Sequence, residues 1–291
     1  MATLESLIRL LDLERLETNL FRGESRNIVG TRVFGGQVLG QGLVAAGRTV
    51  PEERHAHSLH AYFLRPGDVA APIVYEVERT RDGGTFTSRR VVAIQHGRPI
   101  FNMSVSFQIR ETGCDHQLDM PEGVPAPEEL ENEASFMERH RERIPERVRD
   151  TFIRERPVEI RRVDPEDPME PEPTAPVRNA WIRTTGDVPA HSDGIHRALL
   201  AYVSDFGLLA TALLPHGRTM IQGTTQMATL DHAMWFHRDF RLDDWLLYHM
   251  DSPSASNARG FTRGHVFSRD GDLVASVTQE GLIRPLDEDD D

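Results

Sequence analysis

Between His196 and Pro215 the chain reads HRALLAYVSDFGLLATALLP, apolar on nearly every side of a helix and carrying a single acid, Asp205. A helix with no polar face has to be wrapped by other structure. A carboxylate inside that wrapping is costly unless something offsets its lost hydration. The residues leave two readings of Asp205. Ser204-Asp205 is a capping pair where one helix stops and another starts, or Asp205 is a buried acid with dedicated partners elsewhere in the chain.

A chain of 291 residues can bury a large core as one large domain or two of ordinary size. Its formal charge of −13 argues against nucleic acid as a partner. An anionic ligand would need arginines gathered locally, because the field of the whole protein repels it. The tail Asp287 to Asp291 reads as a solvated end. Cys114 is the one cysteine, so neither an intrachain disulfide nor a cysteine-based metal site can form, which suits a reducing cytoplasm. The start, MATLESLIRLLDLERLE, carries acids throughout and reads as an amphipathic helix with Leu4, Leu7, Ile8 and Leu11 on one face, not as a signal peptide. No apolar run has the length of a membrane span, so the expectation is a cytoplasmic protein without an integral membrane segment.

After the first helix, Asn19 to Ile28 reads as a strand. RVFGGQVLGQGLVAAGRTVP then places Gly35-Gly36 before a helix whose small residues, Gly40, Gly42, Ala45, Ala46 and Gly47, point to close packing on a sheet. Extended segments follow at His55 to Arg65, Ile73 to Arg81, Phe86 to Gln95 and Pro99 to Arg110. From Glu111 the chain turns rich in Glu, Pro and Arg, with a surface helix expected at Pro127 to Arg149, then strands at Pro157 to Val163 and Arg178 to Arg183. The Asp205 helix comes next, followed by segments at Met227 to His237, Trp245 to Met250, Arg259 to Phe267 and Asp272 to Ile283. A helix followed by four strands has occurred twice.

HAYFLR at His60 to Arg65 resembles AMWFHR at Ala233 to Arg238, an offset of 173 residues, and the turn glycines Gly97 and Gly271 repeat at 174. Two landmarks agreeing to one residue argue for an internal duplication. The helices align with an offset of 164, Pro51 with Pro215, so the loop after the second helix is nine residues longer. One apolar helix and one curved antiparallel sheet, made twice, predict an α+β double hot-dog: two repeats, each with its sheet wrapped around a central helix, their sheets merging to cover each other's edges. The expected division is residues 1–110 for the first repeat, 111–156 for a connector and 157–291 for the second.

The duplication supplies its own comparison. Under these offsets Asp205 corresponds to Gln41, Thr229 to Ala56 and Gln279 to Val105, so polarity is concentrated in the second repeat. On the last strand Gln279 interrupts the apolar row Leu273, Ala275, Val277. Inward polar residues need partners, and Asp205, Thr229 and Gln279 can partner one another. Together an acid, a hydroxyl and an amide can hold and deprotonate a water. N–H groups at Gly35, Gly36 and Gln37, at a helix start, are candidates for the oxyanion; glycines at such a turn are equally explained by sterics alone. Nothing fits a serine-nucleophile elbow, since G-x-S-x-G is absent, and the glycines after Gly36 are out of order for a dinucleotide loop. His57, His60, His232 and His237 are spaced so that neither pair shares a strand face, which leaves no metal site.

RVFGGQVLGQGL, HSLHAYFLRPGD, ATLDHAMWFHR, SPSASNARGFTRG and LVASVTQEGLI together resemble the bacterial thioesterase II (TesB-type) family, from Leu7 to Arg284. The resemblance implies a double hot-dog that hydrolyses acyl-CoA to free acid and CoA, with no metal or organic cofactor, as a homo-oligomer (dimer or tetramer). It also implies that Asp205 in VSDFG, Thr229 in ATLDH and Gln279 in TQEG orient and activate the hydrolytic water. Alternatives are a thioesterase for carrier-protein-linked acyl groups and a non-catalytic acyl-CoA binder or sensor. Arg65, Arg89, Arg259 and Arg263 are available near these motifs for contacts to CoA.

Overall fold

The computed structural model describes residues 3–189 and 193–286; the acidic tail Asp287 to Asp291 lies outside them. In chain order the elements are α1 (Leu4–Leu11), β1 (Glu14–Glu17), β2 (Leu20–Gly23), α2 (Gly35–Gly47), β3 (His55–Phe63), β4 (Ile73–Asp82), β5 (Phe86–Gln95) and β6 (Arg98–Gln108). The connector holds α3 (Glu133–Arg139) and α4 (Glu146–Ile153). Then come β7 (Val158–Arg162), β8 (Val177–Thr184), α5 (Asp193–Val203), β9 (Thr225–Thr229), β10 (Asp231–Phe236), β11 (Leu246–Ser256), β12 (Arg259–Ser268) and β13 (Leu273–Pro285).

The duplication is written in the strand order. The strands form one sheet, ordered β1-β2-β4-β5-β6-β3-β10-β13-β12-β11-β8-β7, with β9 paired to β13. Read inward from both ends, each strand meets its repeat counterpart: β1 with β7, β2 with β8, and so on to β3 beside β10. At that junction His60 lies opposite Ala233, and these residues are separated by the 173 positions of the sequence offset. An approximate two-fold axis through a strand pair must set one residue against its own counterpart. The same relation holds one strand further out, where Ala61 faces Met103 and Met234 faces Val277. Joined this way, neither repeat has an open edge in the middle of the sheet.

Several expectations are corrected. The segment expected at Asn19 to Ile28 is shorter, ending at Gly23, and a strand at Glu14–Glu17, exposed at all four residues, precedes it. The surface helix expected at Pro127 to Arg149 is broken into a single 3-10 turn at Pro127–Glu129, α3 and α4. Asn132 caps α3 by accepting from Ala134 N–H, and Pro145, which has no N–H to give to a continuing helix, stands at the start of α4. On α1 the buried face is Leu4, Leu7, Leu10 and Leu11, with Ile8 at its margin.

The expected strand Met227 to His237 is interrupted at Leu230. Thr229 on β9 pairs with Gly281 as Ala56 pairs with Phe107 in the first repeat, where β3 has a register shift between Ala56 and Ser58. The irregularity therefore occupies the same place in both repeats, where each sheet bends around the helices. These pairings fix Thr229 as the counterpart of Ala56.

Helices α2 and α5 pass each other inside the curved sheet. Gly36 and Gly40 lie so close to α5 that an added Cβ would sit 2.2 Å from the Tyr202 carbonyl oxygen and 3.0 Å from that of Ala198, respectively. The small residues of α2 therefore serve helix–helix contact first; Gly42 alone of these three faces the sheet, against Met103 and Phe101. The long helix expected through Pro215 stops at Val203. The chain turns through Gly207 (φ 76°) and resumes as a 3-10 segment at Leu209–His216, closed by Gly217 (φ 56°). Asp205 sits in that break.

Candidate active site

The break at Ser204–Gly207 frees Asp205 from the helix and turns its carboxylate toward the start of α2 and the sheet. Gln279, buried on β13, donates from Nε2 to Asp205 Oδ1 at 3.1 Å and to Thr229 Oγ1 at 2.6 Å. Thr229 Oγ1 donates in turn to Asp205 Oδ1 at 3.3 Å. The second carboxylate oxygen, Oδ2, accepts from the Gly36 N–H at 3.0 Å. Thus the acid, hydroxyl and amide named from the sequence form one hydrogen-bonded group. Both sequence readings of Asp205 describe part of it: the residue stands where a helix stops, and it has dedicated partners. Burial raises the Asp205 pKa, while Gln279, the Gly36 N–H and Thr229 each pull it back by stabilising the anion.

The helix start performs a different task from the one expected. The Gly36 N–H is directed at Asp205 itself and is not left open for an oxyanion. Gln37 points away: its Nε2 donates to the Glu24 carbonyl at 3.0 Å, its Oε1 accepts from the Arg26 N–H, and its own N–H donates to the Phe34 carbonyl. That side chain is fully buried and offers a ligand nothing. Gly35 remains at the site, with an added Cβ falling 2.7 Å from Asp205 Oδ2, so no side chain fits between the helix start and the carboxylate.

The first repeat shows what the same position becomes without this chemistry. Tyr75 and Tyr248 are counterparts; the Tyr75 hydroxyl donates to Gln41 Oε1 at 2.7 Å, and the Tyr248 hydroxyl to the Ser204 carbonyl at 2.9 Å. This sets Gln41 against the Ser204–Asp205 turn of the second repeat. Gln41 also donates to the carbonyls of Leu10 and Glu24, at 2.6 and 3.0 Å, tying α1 and β2 to α2. Replacing it by Ala strands these buried groups, so Gln41→Ala is expected to lower stability by about 3 kcal/mol. Urea midpoints measure that loss; the turnover of the folded protein should stay near wild type, whereas an unshifted midpoint would contradict this role.

His232, read from the sequence as a packed strand histidine, lies beside this group. His232 is fully buried, its Nε2 lies 2.9 Å from Ser204 Oγ, and burial depresses its pKa to about 4, with Gln279 acting in the opposite direction. Its Nδ1 and the Gln279 Oε1 are both buried with no hydrogen-bond partner among the described residues. Because Gln279 turns its NH2 to Asp205 and Thr229, its oxygen is left to accept. Ser204 Oγ in turn donates to the Ala201 carbonyl at 3.0 Å.

Two cavities meet at Asp205. One, of about 410 Å³, is lined by Phe63, Phe101, Met227, Arg32 and Arg65 together with Thr229 and Gln279. The other, about 140 Å³, reaches beneath the connector toward Met137, Phe152, Arg156 and Arg178. Phe34, Gly207, Ala210 and Met220 border both. Of the four arginines Arg65, Arg89, Arg259 and Arg263, Arg65 alone reaches a cavity beside Asp205. Arg89 is buried on Thr49 and Asp82, Arg259 pairs with Glu280, and Arg263 holds Asp251 with two bonds.

Comparison with known proteins fits this geometry. Residues 24–108 match the acyl-CoA thioesterase N-terminal domain and residues 147–282 the acyl-CoA thioesterase family. Acyl-CoA thioesterase 2 of Haemophilus influenzae is 42% identical over 281 residues, covering 97% of this chain and 98% of that protein. The chain belongs to the acyl-CoA thioesterase family. Human acyl-coenzyme A thioesterase 8 is a further relative of this thioesterase, 40% identical over 94% of this chain and 88% of its own. The crystal structure of acyl-CoA thioesterase II TesB2 from Mycobacterium marinum superposes with a TM-score of 0.78 at 44% identity, covering 96% and 98% of the two chains. A hot-dog protein from Alicyclobacillus acidocaldarius, at 19% identity and a TM-score of 0.76, shares the fold. Among the described residues of this thioesterase no helix is long and apolar enough to cross a membrane.

Proposed function

We propose that this thioesterase hydrolyses fatty acyl-CoA by direct attack of a water held at Asp205, Thr229 and Gln279. The observation that supports this most is the position of the Asp205 carboxylate, clamped by three donors at the meeting point of two cavities. A thioester has two long substituents on one reacting carbon, and two cavities joined at a base accommodate that shape. Water gives a proton to Asp205 as its oxygen bonds to the carbonyl carbon. The tetrahedral oxyanion forms beside the start of α2, where the Gly35 N–H and the positive end of the helix stabilise it. Collapse breaks the C–S bond, and the proton held by Asp205 passes to the departing thiolate, giving free acid and thiol. No acyl-enzyme forms on this route, and no protein nucleophile is needed.

The raised Asp205 pKa serves the step, since a carboxylate above its ordinary range takes a proton from water more readily. Thiol release measured across acyl-CoA chain lengths, beside the same acyl groups on a carrier protein, tests the assignment. Turnover with the CoA esters is expected, and a preference for carrier-linked esters would replace the CoA assignment. Binding of acyl-CoA without thiol release would reduce the protein to a binder.

A further inference from the structure

The approximate two-fold axis that builds one site beside Asp205 also builds a corresponding place in the first repeat, and that place is hollow. A cavity of about 740 Å³ is lined by Leu43, Arg54, His55, Ala56 and Phe107, with the start of α5 at Gly194 and Ile195 closing one side. Four of the lining residues have counterparts beside Asp205: Leu43, Arg54, His55 and Ala56 answer to Gly207, Met227, Ala228 and Thr229. The water-holding groups are gone from this copy. Ala56 replaces the hydroxyl, Val105 the amide, and Gln41 has turned its side chain to the carbonyls of Leu10 and Glu24.

The hollow has kept an amphipathic lining. Ile8, Leu11, Val44, Val50 and Phe107 supply an apolar wall. Arg9, Arg48, Arg54 and Arg197 also line it against only Asp12 and Glu52, a local cationic excess in a chain of net charge −13. Arg54 is engaged by the carbonyls of Gly83, Gly84 and Thr85, and Arg48 by Asp12. Arg197 is less well satisfied: it is 6% exposed, one nitrogen reaches Asp239 at 2.8 Å, and its buried Nε has no hydrogen-bond partner among the described residues. A buried guanidinium N–H without an acceptor is a donor available to an anion.

We infer that this cavity is a second, non-catalytic acyl site that binds a medium- or long-chain carboxylate, the chemical class of the hydrolysis product, with its tail on the apolar wall and its head toward Arg9 and Arg197. The choice of an acyl ligand rests on the proposed acyl-CoA activity of the Asp205 site; the cavity and its charge do not. Such a site stands apart from the chemistry, because it lies at the end of α2 and the start of α5, whereas Asp205 lies at the start of α2 and beyond the end of α5.

Dodecanoate binding to the full-length protein, followed by titration calorimetry, tests it with two variants. Val44→Trp fills the cavity from α2, and Arg9→Glu reverses an exposed charge at its rim without disturbing the core. A saturable dodecanoate site that is lost in Val44→Trp and weakened by about tenfold in Arg9→Glu, with thiol release by both variants unchanged, supports the inference. Dodecanoate binding indifferent to Arg9→Glu, or no binding beyond what acyl-CoA competes away at the Asp205 site, overturns it. If Val44→Trp fails to fold, the Arg9→Glu result decides. Thiol release is read separately, so an enzyme without the second site and a second site without the enzyme give different outcomes.

Discussion

Asp205→Asn is expected to lower kcat for acyl-CoA by about 10²- to 10⁴-fold, the range that a positioned general base contributes, while leaving the protein folded. The substitution preserves shape but removes the group that takes the proton from water. A second signature comes from linkage. Burial raises the Asp205 pKa in the folded protein, so the folded state binds this proton more tightly than the unfolded chain does. The contribution to stability is therefore fully present below the unfolded carboxylate pKa and is lost as pH rises through the folded value. Asn cannot ionise, so the melting temperature of the variant relative to wild type should climb across that acidic window and level off above it. Loss of an acceptor for the Gly36 N–H adds an offset that does not vary with pH. In wild type the acid limb of kcat should stand above the ordinary carboxylate value of 3.8. Wild-type-like turnover in Asp205→Asn would sink the water-activation mechanism, and a melting difference flat with pH would mean that the carboxylate titrates normally.

Gly36→Ala should be the most damaging one-carbon change in the helices. An added Cβ would lie 2.2 Å from the Tyr202 carbonyl oxygen and 2.5 Å from the Phe34 ring. Neither backbone oxygen nor packed ring can yield at small cost, so α2 and α5 must separate. Overpacking of this kind costs about 1–3 kcal/mol, and the movement draws the Gly36 N–H off Asp205 Oδ2, so activity should fall along with stability. Gly47 ends the same helix with open space where its Cβ would be. There Ala is expected to gain up to about 1 kcal/mol from helix propensity. Urea midpoints and thiol release on the two variants separate local packing from propensity, and equal behaviour of the pair would refute the close-contact argument.

The sequence by itself determined the repeated architecture. Its offsets of 173 and 174 residues reappear as His60 facing Ala233 and as the equivalent pairings of β6 and β13, because strand register follows the hydrophobic alternation that the sequence displays. It also determined which polar residues break an apolar face, since one repeat serves as a reference for the other; Asp205, Thr229 and Gln279 were legible for that reason. The tertiary structure decided where hydrogens point and which groups are already engaged. No spacing reveals that Gln37 is consumed by Glu24 and Arg26, that the Gly36 N–H is turned onto Asp205, or that Arg89 lies buried beneath Thr49 and Asp82. Those facts come from donors and acceptors on segments far apart in the chain, each with one partner to satisfy. The helix expected through Asp205 stops at Val203, and beyond it the carboxylate meets donors from α2, β9 and β13. Periodicity is a property of neighbours in sequence and survives being read as text; hydrogen-bond occupancy is a property of neighbours in space and appears only once the chain has folded.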